Sequence, residues 1–372
     1  MKMSAWVTEE LNNFTWEEDI ELDAPKADEV LVEIVACGVC HTDTTVLDGT
    51  VPSAFPKILG HEGSGIVKEV GANVRGIQPG DHVVLAWSVC CECEECMNAH
   101  PSNCELSGML NFGGVMIDGT TPIHNAKGQD VGNFFGQSSF AEYAIVNQKN
   151  CVVIDKDVPL EIMGPLGCGV NTGAGTVLVG LKPEPGDTIA VFGTGGVGMS
   201  AMMGAKIANC SKIIAVDIVD SRLKMAKKIG ATDVVNSKGL TPDEVAAKIH
   251  EITGGKGVNW TVDTTGVPDV FIAAIRSLCI GGTLGYVAVP RGPVEINPAD
   301  LLFFARKINA IMEGDTVTKY FIPKLVDYYK RGQLPFDKLI KKYPVTDIEK
   351  AFADSASGKV IKPVLIFKED YE

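Results

Sequence analysis

Apolar residues and glutamates alternate over residues 29–36, the period of a strand with one face buried. Similar strand-like runs recur at 65–70, 82–86 and 140–146, separated by Gly, Pro and Asn turns. Roughly the first 150 residues therefore read as an irregular all-β unit. After about Pro165 the pattern changes. Short apolar runs at Thr188–Phe192, Lys212–Asp217, Asp233–Asn236, Val258–Asp263 and 283–289 alternate with helical stretches, among them 199–210, 221–229 and Pro242–Ile252. Strands that are apolar on both faces and divided by helices imply a parallel sheet covered on each side, a doubly wound α/β unit. A helix over 317–331, a helical segment near 348–355 and a strand over 364–367 close the chain.

Composition narrows the class. At 372 residues the chain exceeds what one core serves, so two domains are expected. The net charge of −14, with no long basic run, argues against nucleic acid or anionic lipid as a partner. Residues 1–16 hold no continuous apolar segment, and no stretch reaches the roughly 18 apolar residues of a membrane span. A soluble, cytoplasmic protein is expected. In that reducing compartment its eleven cysteines point to metal ligands or inert thiols rather than disulfides.

The run Thr188–Phe192 leads directly into Gly193-Thr194-Gly195-Gly196-Val197-Gly198 and then into small, proline-free helix formers. A strand, a tight glycine turn and a helix N-terminus can hold a pyrophosphate on free N–H groups. Gly193 would permit the turn, Gly195 would let backbone approach the phosphates, and Gly198 would let helix and strand pack closely. Such turns also occur as mere structure. The next strand, however, ends in Asp217, 19 positions after Gly198, where a carboxylate meets a ribose 2′-hydroxyl. A carboxylate there repels a 2′-phosphate, which favours NAD over NADP.

Two cysteine patterns carry metal chemistry. Cys90, Cys93, Cys96 and Cys104 form C-x2-C-x2-C-x7-C, and four close thiolates can fill a tetrahedral zinc shell with no open position. Cys91 is only one residue removed from Cys93 and stays outside that shell. The surrounding Glu92, Glu94, Glu95 and Glu105 make the lobe a poor phosphate binder. The second set is Cys40, in Cys40-His41-Thr42-Asp43; His61, in Gly60-His61-Glu62-Gly63; and Cys168, in Gly164-Pro165-Leu166-Gly167-Cys168-Gly169. Two thiolates and an imidazole suit a catalytic zinc with one open position. They are distant in sequence, and each cysteine alone reads equally as a small buried apolar side chain.

These segments, with Gly193–Gly198 and Asp217, resemble the zinc-dependent medium-chain alcohol dehydrogenases over essentially the whole chain. The resemblance implies a Rossmann domain (169–312) and a mainly β, chaperonin-10-like catalytic domain in two parts (1–168 and 313–372), with a zinc lobe at 88–106. It makes Cys40, His61 and Cys168 the catalytic zinc ligands, and Cys90, Cys93, Cys96 and Cys104 the structural ones. Two zincs per chain are thus expected. Asp43 matches the acid that hydrogen-bonds the ligand histidine, and Glu62 the acid behind the metal. Thr42 matches the hydroxyl that takes the alcohol proton. Where many relatives carry a proton-relaying histidine three residues further on, this chain has Thr45. The resemblance places His41 and Lys362 on the cofactor pyrophosphate and Arg222 beside the adenosine ribose. Thr172, Val287 and Val289 join Gly193, Gly195, Gly196, Val197 and Gly198 as cofactor contacts.

The implied reaction is reversible oxidation of a primary alcohol by hydride transfer from a zinc-bound alkoxide to NAD. The segments 134–141, 164–169 and 334–340 look closest to the aryl (benzyl-type) alcohol dehydrogenases. Ala86, Trp87 and residues 110–115 are candidate pocket walls. An alternative within the same family acts on S-(hydroxymethyl)glutathione or aliphatic alcohols. A homodimer or homotetramer is also implied, with residues 281–308 supplying an edge strand.

Overall fold

The computed structural model describes residues 1–371. In chain order its strands are β1 (Lys2–Thr8), β2 (Thr15–Leu22), β3 (Glu29–Gly38), β4 (Lys57–Ile58), β5 (Gly63–Val70), β6 (His82–Leu85), β7 (Ile123–His124), β8 (Tyr143–Asn147) and β9 (Cys151–Ile154), then β10 (Thr188–Phe192), β11 (Lys212–Asp217), β12 (Asp233–Asn236), β13 (Val258–Asp263), β14 (Leu278–Tyr286), β15 (Lys307–Ala310), β16 (Ile340–Pro344) and β17 (Lys362–Ile366). The α-helices are α1 (His41–Leu47), α2 (Glu94–Met97), α3 (Ser107–Phe112), α4 (Gly169–Gly175), α5 (Gly196–Ile207), α6 (Asp220–Ile229), α7 (Pro242–Ile252), α8 (Pro268–Arg276), α9 (Pro298–Leu302), α10 (Thr318–Lys330) and α11 (Ile348–Ala356).

The chain divides into two compact units. The first comprises Met1–Cys168, Val317–Lys330 and the chain from Asp337 onward; the second is Gly169–Thr316 with Arg331–Phe336. Residues 313–316 and 331–336 thus lie with the second unit, where a single break after 312 was expected. The first unit holds a sheet in the order β16-β17-β3-β5-β6-β9, with β8 on β3, and a smaller sheet β4-β1-β2-β7. β3 is buried along nearly its whole length because it pairs with β5, β8 and β17. The unit is not purely β. Helix α1 follows Cys40 at once and is closed at its start by a capping box, in which the Asp43 side chain accepts the backbone N–H of Cys40.

The second unit is a parallel sheet in the order β12-β11-β10-β13-β14-β15. Its strand order reverses between β10 and β13, the topological switch point where doubly wound sheets bind ligands. β10 and β11 are buried at nearly every position, which is why they read as continuous apolar runs. α7 matches its expected bounds because Thr241, Pro242 and Glu244 form a full N-terminal signature: Glu244 N–H donates to Thr241 Oγ1 at 3.3 Å, and Thr241 N–H to Glu244 Oε2 at 2.8 Å. β14 starts five residues before the expected 283 and ends at Tyr286, so Val287 and Val289 lie beyond its C-terminal end. Among the described residues no helix is long and apolar enough to cross a membrane.

Candidate metal and dinucleotide sites

Cys40, at the end of β3, His61, just ahead of β5, and Cys168, before α4, converge in the first unit. One donor atom from each lies within 4.8 Å of the others, and the Cys40 and Cys168 sulfurs are 4.0 Å apart. His61 is buried, and its two nitrogens differ. Nδ1 lies 2.9 Å from Asp43 Oδ1; a carboxylate can only accept, so Nδ1 carries the proton. Nε2 is buried with no hydrogen-bond partner. A buried imidazole nitrogen without a partner, beside two thiols, is the donor set a zinc ion requires, so the residues fit the metal.

Asp43 does more than cap α1. It also accepts the Gly60 N–H at 3.0 Å, which ties the turn carrying His61 to the helix following Cys40. Burial pulls the His61 imidazole down, but the Asp43 carboxylate and the Cys40 thiolate outweigh it and hold the ring well above its usual value. Cys40 is held well below the usual thiol value, chiefly by the Cys168 thiol and also by His61 and Lys362. Thr42 is half-buried, with Oγ1 3.9 Å from Cys40 Sγ. Thr45 Oγ1 donates to the Thr42 carbonyl at 2.9 Å. His41, at the start of α1, is exposed.

Lys362, expected at a pyrophosphate, is buried and donates to both Glu62 oxygens at 2.8 Å and to the Val39 carbonyl at 3.1 Å. An ammonium has three donors, and all three are taken. Burial pushes the Glu62 carboxyl up, partly offset by Lys362, while the same pairing keeps Lys362 charged. The pair is thus a buried ion pair behind the ligand set.

Aromatic rings gather around the imidazole. Phe135 stacks on His61 with centroids 4.3 Å apart and planes at 29°, and Phe134 meets it edge-on at 5.5 Å. Trp87 and Phe112 each pack edge-on against Phe135 at 5.2 Å. Trp87 and Phe112 fall within the expected walls; Phe134 and Phe135 were visible only as part of a family-like segment. Beneath Phe134 lies Lys57, only 1% exposed, with its ammonium bonded to Ser53 and, at 3.0 Å, to the Phe112 carbonyl. Burial lowers that ammonium to about 8.

Cys90, Cys93, Cys96 and Cys104 also meet, with one sulfur from each within 4.8 Å of the others. Cys90 Sγ accepts the backbone N–H of Glu92 at 3.4 Å and of Cys93 at 3.3 Å, and Cys104 Sγ that of Cys90 at 3.3 Å. Backbone donors aimed at sulfur favour thiolates, so this set too fits a metal. Cys91 takes a left-handed φ of 59° and is exposed, outside the cluster.

In the second unit the glycine turn has the geometry a dinucleotide needs. Gly193 has φ of 85°, and a Cβ on Gly198 would sit 1.9 Å from the Gly193 carbonyl oxygen. Nothing lies within 4 Å of a Cβ built on Gly195, the N-cap of α5, so the approach to the helix N-terminus is open; Gly196 and Val197 begin that helix. Asp217 ends the neighbouring strand. Its Oδ2 accepts both the N–H and the hydroxyl of Thr194 at 2.7 Å, and its Oδ1 accepts the Val219 N–H at 2.9 Å. Thr194, inside the turn, therefore fixes the carboxylate's orientation, a role that the sequence alone left unmarked. Arg222, on α6, is half-buried with Nε unpartnered. Thr172 is buried on α4, and Val289 is exposed beyond β14.

A doubly wound nucleotide-binding unit joined to a β unit with a three-donor metal set defines a zinc-binding, nucleotide-dependent dehydrogenase. Residues 26–156 match the alcohol dehydrogenase GroES-like domain, and residues 196–329 the zinc-binding dehydrogenase domain. The chain is 40% identical over 353 residues to geraniol dehydrogenase of Castellaniella defragrans, with 94% of each chain covered. It is 38% identical over 355 residues to S-(hydroxymethyl)glutathione dehydrogenase of Saccharomyces cerevisiae, covering 94% of this chain and 92% of that one. The crystal structure of benzyl alcohol dehydrogenase from Acinetobacter calcoaceticus superposes with a TM-score of 0.94 at 40% identity, covering 99% of this chain and all of that one (100%). The chain belongs to the zinc-dependent medium-chain alcohol dehydrogenase family, and it is an alcohol dehydrogenase.

Proposed function

We propose that this enzyme oxidises primary aryl and allylic alcohols to aldehydes, reversibly, with NAD. The observation that carries the substrate class is the ring cluster of Trp87, Phe112, Phe134 and Phe135 built against the ligand histidine. As a pocket wall these rings would reward flat, polarisable substrates and offer little to a small aliphatic one. The similarity to a benzyl alcohol and a geraniol dehydrogenase points the same way. NAD is supported by Asp217, whose fixed carboxylate would repel a 2′-phosphate.

Cys40, His61 and Cys168 would hold the catalytic metal, and Cys90, Cys93, Cys96 and Cys104 a structural one. When bound, a zinc ion at the first set supplies Lewis acidity that lowers the pKa of an alcohol, and a nicotinamide accepts the carbinol hydride with its electron pair. The chain's own residues do the rest. Asp43 holds His61 in the tautomer that presents Nε2. Glu62 and Lys362 keep a fixed pair of opposite charges behind the thiols. The Thr42 hydroxyl, 3.9 Å from Cys40 Sγ, would take the alcohol proton. The Thr45 hydroxyl is committed to the Thr42 carbonyl, so the proton leaves by water or by exposed His41.

The similarity to S-(hydroxymethyl)glutathione dehydrogenase supports a second reading. That adduct carries two carboxylates, for which the rings around His61 offer no partner. A panel of benzyl alcohol, an allylic alcohol, ethanol and formaldehyde plus glutathione, each with NAD and NADP, tests both. Highest kcat/KM for the first two with NAD is expected; faster turnover of the glutathione adduct would overturn the aryl reading. A homo-oligomer is further proposed, formed through edge strand β15 and the exposed Ile280, Leu302 and Phe303 beside it. A reducing compartment such as the cytoplasm is also proposed, where the cysteines of both clusters stay thiols able to hold a metal.

A further inference from the structure

We infer that Glu313 sets the charge at the nicotinamide end of the dinucleotide site and favours the oxidised, cationic cofactor over the reduced one. The inference rests on the dinucleotide reading above. It begins from a backbone anomaly in the second unit. Glu313, Gly314 and Asp315 are three consecutive residues with positive φ, at 47°, 72° and 53°. Glycine adopts such angles readily, but two of the three are acidic residues with a Cβ, and a run of this kind persists only where its surroundings impose it.

The surroundings are the first turns of α4. Asn171 Nδ2 donates to the Glu313 carbonyl at 2.8 Å, and Thr316 Oγ1 donates to Asn171 Oδ1 at 2.9 Å. Gly175 lets the turn come close, since a Cβ there would sit 2.5 Å from Thr316 Cγ2 and 3.0 Å from the Gly314 oxygen. The result of this clamping is that the Glu313 carboxylate lies on Thr172, whose hydroxyl donates to Oε2 at 3.1 Å. Strain at this position thus brings a formal charge to a chosen place.

That place belongs to one half of the cofactor site. In a doubly wound sheet the ligand lies outside the carboxyl ends of the strands. The β10–β12 half carries Asp217 and takes the adenosine, which leaves the β13–β15 half for the nicotinamide. Glu313 comes three residues after β15 ends at Ala310, as Val287 and Val289 come just after β14 ends at Tyr286. An oxidised nicotinamide ring carries one positive charge and the reduced ring none. A half-buried carboxylate beside it therefore stabilises only the oxidised form, in a medium that screens less than water. Glu313 makes and breaks no bond; it acts through its charge and is a positioning residue for the redox equilibrium of the bound cofactor.

Equilibrium titration of the full-length protein with NAD+, NADH and ADP-ribose, in the native form and in Glu313→Gln and Glu313→Asp, tests this. Glutamine keeps the shape and can still accept from Thr172, so it removes the charge alone. The expected result is a Kd ratio, NAD+ over NADH, raised by about tenfold in Glu313→Gln, near native in Glu313→Asp, with ADP-ribose binding equal in all three. An unchanged ratio in Glu313→Gln, or an equal shift in Glu313→Asp, would overturn the inference. Loss of ADP-ribose binding in Glu313→Gln would also overturn it, by showing that the side chain only supports the fold. Failure of the native protein to bind ADP-ribose would instead remove the dinucleotide reading itself.

Discussion

In the loop cluster, Cys90, Cys93, Cys96 and Cys104 face one another and take N–H donors from their own backbone, while the nearby carboxylates face solvent. In the other cluster, Cys40, His61 and Cys168 offer three donors, and the supporting groups are buried side chains: Asp43 on His61, the Glu62–Lys362 pair, and aromatic rings. The first set is assembled within 15 residues of chain (90 to 104) and can saturate a metal. The second is drawn from three separate segments and leaves a position for a reactant. A short, self-contained ligand set can serve only the local fold. One gathered by the tertiary structure is tied to the groups that tune and enclose it.

Breaking each set separately should give opposite signatures, and the largest effect is on turnover. Cys168→Ala or His61→Ala is expected to lower kcat by on the order of a thousandfold or more, with one zinc lost per chain and a nearly native circular dichroism spectrum. Cys96→Ser should do the reverse. It should lower the unfolding midpoint by on the order of 10 °C, while kcat per folded molecule stays within a few fold. A smaller effect sharpens the role of the buried supports. Asp43→Asn should weaken zinc at the three-donor set by about ten- to a hundredfold, read by competition with a chelator, and leave the four-thiol zinc in place. Phe135→Ala should cut the preference for benzyl alcohol over ethanol, as a ratio of kcat/KM, by about tenfold.

The smallest effect concerns pH. Burial lowers Lys57 to about 8, below the roughly 10.4 of an exposed lysine, so the unfolded chain binds more protons between those values. The penalty of burying this ammonium is therefore full below about pH 8 and fades as pH rises to about 10.4. Relative to Lys57→Met, the native protein should gain stability over that interval in denaturant titrations. A difference independent of pH would show that Lys57 is solvated.

What the sequence made legible follows from locality. The Gly193–Gly198 turn and Asp217 announce themselves because strand, turn, helix and acid are consecutive, and the four-thiol lobe because its ligands are neighbours. α1 was hidden: a threonine-rich stretch, His41–Leu47, has weak helix propensity, and its stability comes from Asp43 acting across space. The glycine-rich α4 was hidden for the same reason. β1 and β2 lay in a region that reads simply as polar and acidic. The pairing of Lys362 with Glu62 was hidden because family resemblance gives a position but not where a long side chain points. The stacking of Phe135 on His61, the burial of Lys57 and the turn at Glu313 depend on contacts between distant segments, which no local pattern records.

The central claim is that one chain carries two metal sites of unlike purpose. Zinc content followed during mild chelation, with turnover and unfolding midpoint measured on the same samples, tests it directly. Two zincs per chain are expected at the start, the first to leave abolishing turnover while the midpoint barely moves, and the second leaving only with a large fall in the midpoint. A single zinc per chain, or turnover that survives loss of the first, would contradict it.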